Sequence, residues 1–453
     1  MSTRSRARRI RLARGFTLVE LMVSLVAGVI IAIAVIGLAK AATNSFYEQA
    51  RLAGVEATVR NAANRLRQDL TKVSFMGTGN IHLATTPDVP YGHRVASQYA
   101  LAGNAGSRYV GQSENLQGIH ITVRGSMVDA QVTAYGNDPK NQTRPDMIEI
   151  GGNLTTDDWY IGRWDNSAGG SCGGGTFVVR SVADPAAERL MGDNPGPNVA
   201  NAFTPGPANT RYWARVVDSL GCQHFVVVQS ATAIAGGFQV NLCNDGAAQS
   251  LLQPGAARAG CGAIPMTDET LRISPFHRVR WRIAQTLPAL TGALDPPAAI
   301  APAGSTFMLY RDVLNSQGQV VDPLTQIVAE YAIDLKFGIA VDQRESQPTN
   351  PIGFFDVDSD TGGGSIDQWT KLASTTTLSA PGATQPGPQR VRSVKFRVST
   401  RASLPDRTTG ITVAPGPPYV TRYCIDTPNC TKYARVRTIV SEVPLLNQAR
   451  MTY

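Results

Sequence analysis

Residues 1–46 read MSTRSRARRIRLARGFTLVELMVSLVAGVIIAIAVIGLAKAATNSF, and the fold turns on them. Arg4, Arg6, Arg8, Arg9, Arg11 and Arg14 crowd the first fourteen positions, after which residues 16–39 run apolar for 24 residues with one charge, Glu20. At about 1.5 Å per helical residue this stretch crosses a hydrocarbon core roughly 30 Å thick, and the arginines before it are expected to stay cytoplasmic. A carboxylate costs on the order of 2.5–3.5 kcal/mol near the centre of a membrane helix and less near the interface, so Glu20 calls for a partner or a function. Two plainer readings compete. Ala39-Lys40-Ala41 has the form of a signal-peptidase site, but a secretory apolar core of roughly 7–15 residues is shorter than this one. A simple signal anchor accounts for the length and leaves Glu20 without a use.

The helix is expected to continue past the membrane. No proline occurs from Phe16 to Val73, and Val55, Val59, Ala63, Leu66, Leu70 and Val73 recur at spacings of three and four. That is one apolar helical stripe. Arg60, Arg65, Arg67, Asp69 and Lys72 lie between its members, so this half can lay the stripe on a sheet while its other face stays wet. Gly37 and Gly54 are points where the helix could bend, and Phe75-Met76-Gly77-Thr78-Gly79 supplies a stop.

The bulk composition excludes little by itself. A chain of 453 residues with 43% apolar and 17% charged residues has material for a sizeable core. The net charge of +8 includes the six leading arginines, so their removal would leave +2 and no general case for a nucleic-acid partner. Cys172, Cys222, Cys243, Cys261, Cys424 and Cys430 form no C-x-x-C pair and have no histidine at zinc-finger spacing. Disulfides in an oxidising compartment are the better reading. Cys424 and Cys430 enclose only IDTPN, a turn-forming loop, and are the one pair singled out.

Beyond residue 75 the chain reads as short strands between Gly, Pro, Asn and Asp clusters. The β-rich segments are Gly118–Val123, Met147–Gly151, Thr176–Arg180, Tyr212–Val217, His224–Gln229, Gly237–Leu242, Val279–Ile283, Thr306–Arg311, Ile333–Ile339, Val391–Val398 and Ala434–Val440. Residues 192–209, 287–304 and 379–389 read as Pro/Gly/Ala-rich loops. The expected fold class is α+β: a long N-terminal helix, membrane-spanning in its first half and amphipathic in its second, packed on a mostly antiparallel β head.

GFTLVE, Gly15–Glu20, resembles the prepilin processing site: a glycine before the cut, phenylalanine after it, and a glutamate at the fifth mature position. The resemblance implies cleavage between Gly15 and Phe16 by a membrane aspartyl peptidase, which also methylates the new N-terminus. It further implies that Glu20 pairs with the Phe16 amine of a neighbouring subunit during assembly. Two buried opposite charges that meet only in the assembled state set register, whereas either alone is a penalty.

The C-terminal half resembles PilW-type minor pilins in order of motifs. A strand ending in Leu309-Tyr310-Arg311 precedes IVAEYAIDLKFGIAVD (327–342), an Asp-rich turn FDVDSDTGGGSIDQW (355–369), RVRSVKFRVST (390–400) and the closing TKYARVRTIVSEVPLLNQ (431–448). The domain reading that follows is a leader at 1–15, a helix at 16–75 with its span at 16–39, a β-rich head at 76–270 that is partly unassigned, and a PilW-like β region at 271–453. The partners implied are the prepilin peptidase, other minor pilins, the major pilin, the inner-membrane assembly platform and a tip adhesin. The location implied is a single-pass inner-membrane protein with a periplasmic head, later part of an extracellular pilus. A tip adhesin or DNA-uptake receptor on a pilin chassis, and a type II secretion pseudopilin, are the alternatives.

Chemistry-bearing motifs are few. Asp356, Asp358, Asp360 and Asp367 stand at positions 1, 3, 5 and 12 of a calcium-loop pattern. Thr361 occupies the usual glycine position, Asp367 is shorter than the usual bidentate glutamate, and an ordinary acidic turn is the competing reading. Calcium is thus the one cofactor the chain suggests, and none is required. His82, His93, His120, His224 and His277 are scattered, and the glycine run 169–175 lacks the Lys-Ser/Thr of a phosphate loop and reads as a turn. No catalytic constellation emerges and the chain is not expected to be an enzyme. Asp157 and Asp158 beside Trp159 and Trp164 suggest carbohydrate contact or a loop with aromatic anchors. Arg390, Arg392, Lys395, Arg397 and Arg401 alternate with apolar residues, which suits phosphate contact but equally a solvated face or subunit contact.

Overall fold

From Leu18 to Thr71 the chain is one α-helix, α1. It runs unbroken through Gly28, Gly37 and Gly54, each of which has open space where a Cβ would stand. The computed structural model describes residues 17–77, 116, 118–122, 145–165, 173–181, 184–219, 221, 223–243, 270–285, 307–342, 349, 352–355, 357, 390–405, 422–425 and 433–449. Two compact units divide the chain, 1–54 and 55–453. In the first, the apolar side chains from Leu18 to Leu38 are exposed along α1, and this is the one helix among the described residues long and apolar enough to cross a membrane.

The second unit begins with the amphipathic part of α1 and is otherwise mainly antiparallel strands. They are β1 (Ile119–Thr122), β2 (Met147–Gly152), β3 (Tyr160–Asp165), β4 (Gly173–Arg180), β5 (Tyr212–Val217), β6 (Gln223–Ile234), β7 (Gly237–Cys243), β8 (Leu271–Gln285) and β9 (Phe307–Leu314). After them come β10 (Gln326–Glu330), β11 (Ala332–Asp342), β12 (Ile352–Phe355), β13 (Val391–Arg401), β14 (Arg422–Cys424) and β15 (Tyr433–Pro444). Two helices, α2 (Pro185–Met191) and α3 (Pro195–Phe203), lie between β4 and β5, and a last short turn, α4 (Leu446–Ala449), follows β15.

Two hydrophobic cores organise this unit. In the first, Val59, Ala62, Ala63, Leu66, Leu70 and Val73 of the α1 stripe and its exit meet apolar residues of β1, β2, the second half of β8, β9, β11, β13 and β15. Period-two alternation supplies the strand side: Ile333, Leu335, Phe337, Ile339 and Val341 of β11 and Val394, Phe396 and Val398 of β13 enter this core. Sheet order β12-β11-β13-β15-β14 forms one wall, and β1-β2-β8-β9-β10 the other.

The second core is the inside of a closed barrel. β3 pairs β4, β4 pairs β7, β7 pairs β6, β6 pairs β5, β5 pairs β8 and β8 returns to β3, all antiparallel. Closure leaves the ring no free edge. Alternate residues such as Phe177, Val179, Val216, Val226, Val228, Val240 and Ile273 fill it. Phe203 at the end of α3 joins Tyr160 and Phe238, with ring centroids 5.2–5.8 Å apart. β8 serves both cores: residues up to Phe276 pair within the barrel, and His277 onward pairs β2 and β9.

Residues 192–209, expected to be a loop, contain α3. Pro195 occupies the first turn, where a missing N–H costs nothing, and Val199, Ala202 and Phe203 at i, i+3 and i+4 are buried. Of the glycine run expected to be a turn, 173–175 instead open β4. Gly175 has φ +76°, and a Cβ there would stand 2.4 Å from the Trp164 indole nitrogen, so only glycine suits both backbone and neighbour. The loops expected at 287–304 and 379–389 lie outside the described residues.

Candidate functional site

Glu20 sits in the first turn of α1. Its Oε2 accepts from the Thr17 backbone N–H at 3.0 Å and from the Thr17 hydroxyl at 3.1 Å, while the Glu20 N–H donates to Thr17 Oγ1 at 3.3 Å. Thr-x-x-Glu is therefore a capping box, in which two otherwise unpaired helix donors are satisfied reciprocally. The sequence carried that signal in TLVE, and it gives Glu20 a local role beside any role between subunits. Gly15 and Phe16 lie outside the described residues.

At its other end α1 is seated by apolar contact and by one charged clamp. Asp69, expected on the wet face, is buried: Trp281 Nε1 donates to Oδ2 at 2.9 Å, Arg311 Nε to Oδ2 at 2.7 Å and Arg311 Nη2 to Oδ1 at 3.3 Å. Asp69 stands three residues after Leu66 and four before Val73, within the apolar stripe rather than opposite it. A charge inside such a stripe was the available signal; its partners, more than two hundred positions away, were not. The chain leaves the helix through Ser74 and Met76, both at positive φ. Ser74 N–H donates to the Gly151 carbonyl at 2.9 Å and Asn153 N–H to that of Phe75 at 2.8 Å. Asn447 donates to the carbonyls of Thr71 and Val73, and Arg67 to the Ser441 hydroxyl at 2.6 Å. The closing segment of the chain thus grips the last turn of α1.

The basic alternation on β13 is not a free cationic stripe. Arg397 Nε donates to Asp334 at 2.7 Å, Arg392 pairs Asp342 at 3.2 Å, and buried Arg401 lies over the rings of Tyr331 and Tyr423. Other buried polar groups also serve the sheets. Glu149 accepts from Arg278 and Arg280. Burial alone would raise its carboxyl, yet the two guanidiniums hold it down at about 2. His277 is pushed down to about 4 by burial, with Arg311 adding repulsion and the Phe203 backbone opposing. His120 is lowered by burial as well. His224 Nε2 lies 3.2 Å from Asp218 Oδ2, both buried in the wall of the barrel.

The remaining predicted residues divide by what is described. Asp356, Asp358, Asp360 and Asp367 lie outside the described residues, and among those described no three His, Cys, Asp or Glu side chains gather to hold a metal ion. His82 and His93 also lie outside. Cys424 is disulfide-bonded, as is Cys243; Cys430, Cys172, Cys222 and Cys261 lie outside the described residues. Trp164 is buried in the barrel core while Trp159 is 46% exposed. Asp157 pairs Lys72 and Asp158 pairs Arg189.

Comparison with known protein families, with curated proteins and with solved structures finds no match for this chain.

Proposed function

We propose that this chain is a minor pilin of the PilW type, a non-enzymatic structural subunit that helps initiate a type IV pilus or caps it. The observation that carries the reading is one helix with two halves. Its first half is exposed, apolar and bears a single carboxylate at its start; its second half is built into the head's core. A span with one early acid, continuous with an element built into the head's core, couples the head to lateral helix packing. The resemblance at Gly15–Glu20 adds processing after Gly15, methylation of Phe16, and the prepilin peptidase, the major pilin and other minor pilins as partners.

The capping box makes a sharp experiment available. Glutamine serves a capping box as glutamate does but carries no charge, so Glu20→Gln keeps the local role and removes the intersubunit one. The expected result is that Glu20→Gln and Glu20→Ala both fail to enter filaments, while mass spectrometry of the parent finds an N-terminal methylated Phe16. Parent-like incorporation of Glu20→Gln, or a mature protein that keeps its arginine leader, sinks the reading.

A receptor or adhesin on the same chassis is the second reading, and the barrel favours it. None of the residues that fill the barrel belongs to the core that seats α1, so the barrel is not needed to hold the helix. Deletion of the gene separates the two: lost fibres indicate priming, whereas normal fibres with lost adhesion indicate a receptor.

A further inference from the structure

Strand register in the barrel restricts how the cysteines can pair. Cys243 is disulfide-bonded and ends β7, where its Cα is opposite Gly173 of β4 on one side and Val227 of β6 on the other. Cα partners in an antiparallel ladder lie about 4.5–5.5 Å apart. Cys172 directly precedes Gly173 in the chain, and consecutive Cα atoms are about 3.8 Å apart. Although Cys172 itself lies outside the described residues, its bond to Gly173 keeps it within reach of Cys243, since bridged Cα atoms are roughly 4.4–6.8 Å apart.

The same register takes Cys222 out of reach. Gln223, the next residue, opens β6 and stands four positions from Val227 in a stretch that pairs β5 without a break. At roughly 3.3 Å per residue, that is about 13 Å along the strand. One Cα step of about 3.8 Å toward Cys243 still leaves Cys222 about 10 Å from it, beyond the roughly 7 Å limit for a bridge. Cys172 is on the far side of β7 from β6, and each strand spacing adds about 4.8 Å across the sheet, so it cannot meet Cys222 either.

Cys424 is bonded as well and is opposite Tyr433 at the open end of the β14–β15 hairpin. The loop of that hairpin holds Cys430, three positions before Tyr433. With that pair closed, Cys172, Cys222, Cys243 and Cys261 remain, and four cysteines allow three pairings. Two of the three need Cys222 to meet Cys172 or Cys243. We infer that Cys172 is bonded to Cys243 and Cys222 to Cys261. Each bridge forms as two thiols give up two protons and two electrons to a disulfide oxidant such as oxidised glutathione, which leaves as two thiols. The first bridge fastens the start of β4 to the end of β7, and the second ties the turn between β5 and β6 to the segment that leads into β8. The inference stands on strand register and is read without filaments, so its failure and that of the pilin reading are separate outcomes.

The test is mass spectrometry of the full chain isolated from its own cells in non-ionic detergent, with free thiols alkylated at lysis and digestion carried out without reduction. Trypsin and chymotrypsin are used together, because no Lys or Arg separates Cys222 from Cys243 whereas Phe225 and Phe238 do. The expected result is one linked peptide pair joining Cys172 to Cys243 and another joining Cys222 to Cys261, with none of the four alkylated. Cys172→Ser is expected to expose one thiol, at Cys243, and to leave the bridge between Cys222 and Cys261 in place. The parent digest decides the matter even where that variant fails to accumulate. The inference is overturned by Cys172 or Cys222 joined to any other cysteine, by alkylation of either in the parent, or by a Cys172→Ser protein whose new thiol is absent or lies elsewhere than Cys243.

Discussion

Asp69 shows how one residue can decide how a helix sits. Its carboxylate is shared by Trp281 and Arg311 on neighbouring strands, so rotation or a one-turn slip of α1 would leave a buried arginine without its anion. Breaking a buried pair from one side costs about 3–5 kcal/mol. Asp69→Asn is therefore expected to lower head stability by roughly 3 kcal/mol in chemical denaturation, whereas Arg60→Gln, in an exposed pair with Glu56, should change it little.

Titration gives a second prediction at this scale. His277 binds a proton near 6.5 when unfolded but only near about 4 when folded, so the unfolded state holds more protons between those values. Its contribution to stability is complete above pH 6.5 and is lost as pH falls through about 4. At about 1.4 kcal/mol for each tenfold change in proton affinity, the window is worth roughly 3 kcal/mol. Glu149, held near 2 against 4.5 unfolded, adds a further loss at lower pH. Unfolding midpoints measured against pH should be flat above 6.5 and fall below it. His277→Gln should make the upper part of that fall shallower without abolishing it, because burial lowers His120 as well.

At the scale of elements, most strands were legible because their alternation is local. β2, β5, β7, β11, β13 and β15 lie where apolar and polar residues alternate between turn clusters. The α1 stripe was legible for the same reason. What escaped was punctuation: Asp184-Pro185 and Asn194-Pro195 are helix starts, and Asp184 Oδ1 accepts from the Ala186 N–H at 2.9 Å, yet proline among glycines reads first as loop. β3, which follows a turn and carries Arg163 beside Trp164, lacks a run of β-branched residues. Two substitutions test the helices. Leu66→Ala should cost about 2–5 kcal/mol by opening a cavity under α1, and Phe203→Ala about 3–5 kcal/mol by removing the aromatic plug from the barrel. Because the two side chains lie in different cores, their effects should add in the double variant.

Among the described residues the two larger cores share one strand, β8, and α1 is committed to only one of them. Cys243 and Cys424 are both disulfide-bonded, one at the end of a barrel strand and one on β14. Reduction under native conditions is expected to lower stability by about 2–4 kcal/mol for each bridge opened, seen as a lower unfolding midpoint after treatment with a thiol. The disulfide reading was available from the cysteine spacing.

The amino-acid order by itself determined the apolar helix with its early acid, the stripe that continues it, and the positions of most strands, since each rests on periodicity or on groups a few residues apart. Only the tertiary structure decided that Asp69 is a clamp, that six strands close into a barrel and that the β13 arginines are largely engaged. Those outcomes depend on which distant strands pair and in what register, a choice made by the packing energy of the assembled cores.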